Sequence, residues 1–339
     1  MLKSLVVSPS PHISKPLSTR TVMIDVAVAL LPAVTAAWYF FRVRAAILVA
    51  ACVAASVLTE LLCNLIRRKP RPMESLADFS AVVTGIILAL SLPPALPAWA
   101  AVIGSAFAIA IGKMVFGGLG SNIFNPAMAG RAFLMASFGM LMTTWTVPAT
   151  LNPQMPQIGP DTGLDAVSRQ TPLAHSKDAI KNKTGAATVN RQLAAMFEGR
   201  TGGCLGETSS LAILLGALYL LIRRTISWQI PAGMLASAFV FAGIAHLVNP
   251  DAYVSPLVHL TAGGLLLGAF FIATDPVTAP LTTKGMWIFG IGIGTLTMLI
   301  RIVGEYPEGV MFAVLLMNAA TPLIDRFCRL VPAGGKPGE

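Results

Sequence analysis

From Thr21 to Phe41 the chain reads TVMIDVAVALLPAVTAAWYFF, twenty-one residues interrupted by a single charge. A helix rises about 1.5 Å per residue, so a run of about twenty apolar residues matches the roughly 30 Å hydrocarbon core of a bilayer. Ten such runs are read as spans: 22–41, 45–66, 79–93, 97–116, 126–146, 209–222, 227–247, 256–274, 285–304 and 308–327. Charged residues make up only 12% of the 339, about half the ~25% of a soluble domain. The expected fold is an all-α polytopic membrane protein. The first twenty residues carry no signal-peptide core or small-residue cleavage site, so the first hydrophobic helix is expected to insert by itself.

Two features break the pattern. One is a polar stretch, 147–208, rich in Pro, Thr, Asn and Gln. The other is a pair of short apolar runs ending in prolines, GIILALSLPPALP (85–97) and LLLGAFFIATDPVTAP (265–280). Each is followed by a helix with a tryptophan near its start and a base fourteen residues later, Trp99 with Lys113 and Trp287 with Arg301. Five helices per half is an odd number, so the halves are expected to be inverted repeats whose interrupted helices meet near the midplane and line a site. The expected domains are a cytoplasmic segment (1–21), a first five-helix repeat (22–146), a periplasmic loop (147–208), a second repeat (209–327) and a cytoplasmic tail (328–339).

The net charge of +9 does not point to nucleic acid, because basic residues fall between the apolar runs as orientation signals do. With the N-terminus inside, the cytoplasmic segments hold fifteen Lys and Arg, Lys113 and Arg131 among them; the short outer loops hold three, Arg42, Arg44 and Arg301. Both termini are therefore expected in the cytoplasm, and 147–208 outside. Cys52, Cys63, Cys204 and Cys328 form no CxxC pair, and neither a disulfide nor an iron–sulfur site within this chain is expected.

Within the polar stretch, DAVSRQTPLAH (165–175) places Thr171 before Pro172, where helix is disfavoured and an extended, accessible hydroxyl is expected. Asp165 and Ser168 are placed to brace the turn. By chemistry alone this is an ordinary Ser/Thr-rich turn. The chain, however, resembles the RnfD family of the Rnf ion-translocating electron-transport complex, related to the NqrB proteins of the sodium-pumping NADH:quinone reductase. The likeness runs through SPHI (10–13), LADFSAVVTG (76–85), FGGLGSNIFNPAMAGRAF (116–133), GETS (206–209), ATDPVTAP (273–280) and YPEGVMFAVLLMNAATPLID (306–325). In that family a D-x-x-[S/T]-G-A-T motif carries FMN on its last threonine through a phosphodiester. The resemblance implies covalent FMN on Thr171, with Asp165 and Ser168 as motif residues and Arg169-Gln170 standing where the family has Gly-Ala. Thr188, in KTGAATV (183–189), is the lower-ranked alternative, with Asn182 where the aspartate should be.

The resemblance further implies a periplasmic flavin transferase, placement in the bacterial inner membrane within a multi-subunit redox complex, and coupling to Na⁺ or H⁺. It implies ferredoxin and NADH sites on partner subunits, and a second, noncovalent flavin (riboflavin) near Gly117, Gly118 and Gly120. Charges inside spans are expensive, which singles out Asp25, Glu60, Asp275 and Asp325 for an ion path, Asp275 first because a carboxylate beside unwound backbone can coordinate a cation. Ion pairing at the membrane surface is the competing reading for each. His246 and His259 are read as packing residues. No catalytic triad or zinc spacing is present in the sequence. An inverted repeat with broken helices also fits a solute channel or transporter of the urea- or ammonium-channel type, since fold does not settle function.

Overall fold

The computed structural model describes residues 18–68, 70–73, 75–145, 171–183, 185–199, 201–207 and 209–328; among these every regular element is helical. The first half comprises α1 (Thr19–Phe41), α2 (Val43–Ile66), α3 (Ser80–Leu90), α4 (Ala98–Ile109, continued by a π turn over Ala110–Met114), α5 (Pro126–Ser137) and α6 (Gly139–Met142). Three short helices follow: α7 (Pro172–Asn182), α8 (Ala186–Asn190) and α9 (Leu193–Glu198). The second half comprises α10 (Ser210–Arg223), α11 (Gln229–Val248), α12 (Pro256–Thr261), α13 (Leu265–Leu267, continued by a π turn over Gly268–Ile272), α14 (Thr283–Ile302) and α15 (Val310–Phe327). Each of the ten expected ranges contains helix. Five helices, α1, α2, α11, α14 and α15, are long and apolar enough to cross a membrane, and the chain is a multi-pass membrane protein.

The other five ranges are shorter or interrupted, for local reasons. Helix α3 stops at Leu90 because Pro93 and Pro94 supply no N–H to continue it. The freed carbonyls of Leu90 and Leu92 accept hydrogen bonds from Gly206 N (2.7 Å) and Leu205 N (3.0 Å), residues just before α10. A Cβ at Gly206 would sit 2.8 Å from Leu90 Cβ, so only glycine comes close enough to plug the break. In the second half the helix loosens into the π turn and ends before Asp275-Pro276. There Asn125 Nδ2 reaches Ile272 O (3.5 Å), and Thr274 Oγ1 returns to Phe270 O (2.7 Å). Asn125 also caps α5 and donates its own N–H to Asn318 of α15 (3.1 Å).

The halves pack first helix on first and last on last: α1 against α10, and α5 against α15. At the α1–α10 crossing a Cβ on Gly216 would lie 2.0 Å from Ala29 O, the small-residue approach that drives helix association in lipid. Two ion pairs join helices of this bundle. Lys113 Nζ bonds Glu60 Oε2 and Ser80 Oγ, each at 2.7 Å, with both charged side chains buried. Asp25 receives Arg223 (3.2 Å), Tyr219 and Thr225. Lys113, Arg131 and Arg301, all counted as loop charges from sequence, are buried bases instead. Without them the comparison across the membrane is thirteen against two, and its direction is unchanged.

Removing one member of a buried pair leaves the other charge uncompensated, at a cost of roughly 3–5 kcal/mol. Glu60→Ala is expected to lower the melting temperature in detergent sharply, while the double variant Glu60→Met/Lys113→Met loses much less. Equal losses in the two would show that the pair is not the source.

Candidate functional site

The described part of the polar stretch is folded rather than a plain loop. Thr171 is extended (φ −69°, ψ 159°), as a residue before proline should be, and Pro172 opens α7 at the first helical position, where its missing N–H costs nothing. The Thr171 hydroxyl oxygen accepts the Ala174 N–H at 3.2 Å, making Thr171 the N-cap. Capping turns the side chain inward, so Thr171 is 7% exposed and the expectation of an open hydroxyl is corrected. Thr188 is exposed on α8, while Asp165 and Ser168 lie outside the described residues. A small apolar core of Leu173, Ala179, Ala186, Val189, Met196, Val254, Val258 and Ala262 ties α7–α9 to the membrane helices.

A chain of polar contacts runs inward from α7. The buried Lys177 amine donates to the carbonyl of Arg301 (2.9 Å), in the last turn of α14, and to that of Gly304 just beyond the helix. Arg301 directs its guanidinium to His259 O (2.6 Å) and Ala262 O (3.1 Å), where α12 ends. Just beyond, Gly264 N donates to Glu308 Oε1 (3.1 Å), and Glu308 pairs with Arg131 of α5. Arg131 also reaches Cys204 Sγ (3.5 Å), and Glu207 Oε2 accepts from Cys204 N (3.3 Å). The Cys204 sulfur and the Glu207 and Glu308 carboxylates lie within 4.8 Å of one another, a grouping able to hold a metal. The Arg131 guanidinium already sits against two of the three as the cluster's cation.

Two cavities adjoin this cluster. Thr171, Glu207 and Gly263 line the first, and Arg131, Met135, Tyr306 and Phe312 line the second, of about 270 Å³. Trp145, Pro307 and Glu308 border both. Among the described residues, Arg131 Nε and Glu207 Oε1 are buried without a hydrogen-bond partner. Burial, and then the nearby Glu308 carboxylate, push the Glu207 carboxyl up against the opposing pull of Arg131.

The acidic candidates fall elsewhere. Glu60 and Asp25 are held in the ion pairs described above. Asp275 receives Val277 N (3.3 Å) and Thr278 Oγ1 (3.1 Å), and Asp325 receives Leu281 N (3.3 Å). Asp275 borders a cavity of about 70 Å³ that is also lined by Lys113 and Ser80, the first a partner of Glu60, by Thr225, a partner of Asp25, and by Asn122 and Asn125. Leu119 of the FGGLG loop lines the same cavity, and Gly117, Gly118 and Gly120 all have positive φ. Helix α10 begins beside Glu207 and ends beside Asp25; its fourteen residues separate the two sites by about 20 Å. His246 bonds Tyr253 O (2.7 Å) and His259 is buried, neither in a metal-holding group among the described residues.

Sequence reading passed over Arg131, Lys177, Glu207 and Glu308. Arg131 and Glu308 stand inside expected spans, and the rule that drew attention to Asp25 and Glu60 would have found them.

A carboxyl raised by folding contributes stability that is present below its unfolded range and lost as pH rises through the folded value. The melting temperature is therefore expected to fall as pH rises from the ordinary carboxylate range to about 7 and to level off above it, and Glu207→Gln to flatten that fall. An unchanged slope in the variant would assign the dependence to another group.

Kinship with known proteins extends over nearly the entire chain. A model described as the NQR2, RnfD, RnfE family matches residues 6–334. A relative from Acetobacterium woodii, the D component of a Na(+)-translocating ferredoxin:NAD(+) oxidoreductase complex, is 46% identical over 329 residues, 96% of this chain and 94% of its own. One from Stutzerimonas stutzeri, the D component of an ion-translocating oxidoreductase complex, is 45% identical over 92% of this chain and 91% of its own. One from Clostridium ljungdahlii, named as the proton-translocating counterpart, is 42% identical over 97% of this chain and 96% of its own.

Proposed function

The chain belongs to the NQR2, RnfD, RnfE family, and from that premise we propose that it is the membrane electron carrier of a redox-driven ion pump, with FMN esterified to Thr171. The complete complex would exchange electrons between reduced ferredoxin and NAD⁺ while moving Na⁺ or H⁺. Both ions appear in the names of relatives above 40% identity, so kinship does not choose between them. Ferredoxin and NADH would bind partner subunits.

The observation that carries this reading is the position of Thr171 as N-cap of an eleven-residue helix, beside a small pocket that Glu207 and Glu308 also line. A phosphodiester on its oxygen would stand against the first-turn N–H groups and the positive end of the helix dipole, a natural anion position. Thr188, exposed in a five-residue helix, has no such surroundings. The flavin would supply the electron chemistry. This chain's residues would hold it: Thr171 as the tether, α7 as the anion site, and Lys177 fixing α7 to α14. Because Thr171 is buried, a transferase would act before α7 docks.

The inverted repeat is supported by the packing of equivalent helices and by Lys113 and Arg301, each buried and each bonded at the third segment of its own half. On this arrangement the termini face the cytoplasm of a bacterial inner membrane and 147–208 the periplasm. The cavity beside Asp275 and the glycine loop is then the cytoplasmic-side site, suited to an ion or to a noncovalent riboflavin.

The test is a denaturing gel under ultraviolet light, of protein made with its flavin transferase. A fluorescent band is expected for wild type and Thr188→Ala and is lost in Thr171→Ala. A dark wild-type band would favour the channel reading, and a band that persists in Thr171→Ala would move the tether.

A further inference from the structure

We propose that the 270 Å³ cavity between α5 and α15 seats the flat isoalloxazine ring of the flavin on Thr171, with Arg131 donating to the ring's carbonyl edge. The inference rests on the Thr171 reading and specifies where the tethered ring goes.

The two cavities share a wall. Thr171 lines one pocket and Ala174, one turn along α7, lines the other, while Trp145, Pro307 and Glu308 border both. The walls suit a planar aromatic guest. Trp145, Tyr306 and Phe312 face the space, and the Tyr306 and Phe312 rings stand 5.3 Å apart at 44°, tilted rather than stacked on one another. Methionines 135 and 311 complete the lining with polarizable surface.

The polar requirement is more selective. Arg131 is 3% exposed, and Glu308 and Cys204 occupy one end of its guanidinium, yet its Nε–H has no acceptor among the described residues. A buried donor without an acceptor is costly, so this cavity calls for a guest that accepts a hydrogen bond. An acyl chain would fill the apolar walls and leave that donor unmet. A metal ion would stand against the guanidinium. An isoalloxazine has apolar faces and carbonyl and ring-nitrogen acceptors at one edge, which answers both demands. A cation at that edge favours the electron-richer form of the ring, so Arg131 would raise the flavin's midpoint potential.

The experiment uses purified full-length protein made with its flavin transferase, in detergent. It measures iodide quenching of flavin fluorescence and the midpoint potential in wild type, Arg131→Gln and Met135→Trp. The wild-type flavin is expected to be shielded from iodide. Met135→Trp, which fills the cavity from α5, should expose it while the covalent band on a gel persists. Arg131→Gln should shift the potential downward; if that variant does not fold, Met135→Trp carries the test. A covalent band whose flavin is quenched by iodide as freely as in denatured protein, or that ignores Met135→Trp, overturns the seat and leaves Thr171 as the tether. A wild-type chain with no band overturns both.

Discussion

A peptide carbonyl in hydrocarbon has no water to turn to, and this constraint organises the molecule. The chain interrupts two membrane segments, at Leu90–Leu92 and after Ile272, and each interruption is met by protein. Leu205 and Gly206 donate to the first break, and Asn125 reaches the second. Each plug delivers chemistry as well as hydrogen bonds. The residues that close the first break bring Cys204 and Glu207 into the bundle, and the segment that closes the second carries the glycine loop and begins α5.

Buried charge is handled by the same logic with different partners. Lys113 and Arg301 follow tryptophans at equal spacing, yet Lys113 meets a carboxylate and Arg301 spreads its planar fork over two backbone carbonyls at the end of α12. A compact ammonium suits one anion, and a guanidinium suits carbonyls left open where a helix stops. Arg131 and Glu308 link α5 to the residues preceding α15, so the interface between the last helices of the two halves is also where the polar cluster sits.

Much of this was legible in the sequence. Each of the ten apolar ranges contains helix, five of them in helices long enough to cross a membrane, and the proline-ended runs marked the interruptions, because both signals are local. Asn125-Pro126 caps a helix and reaches Asn318 and Ile272, roles that the run of letters does not show without its neighbours. The polar stretch misled in the opposite sense: Leu173, Val189 and Met196 are too widely spaced to announce a core, and they form one only with Val254 and Val258, some sixty residues on. Lys177 was invisible for a related reason, since its partners are carbonyls and carbonyls leave no mark in a sequence.

The Lys177 contact has an implication for how the protein is built. One lysine joins the amphipathic α7 to the last turn of α14, and Thr171 stands at the near end of that helix, turned inward. On the reading proposed for Thr171, loading must come before closure: a transferase that arrived late would find the alcohol covered and the lysine engaged. Biogenesis would then have an ordered checkpoint, with the undocked helix marking a chain still awaiting its cargo.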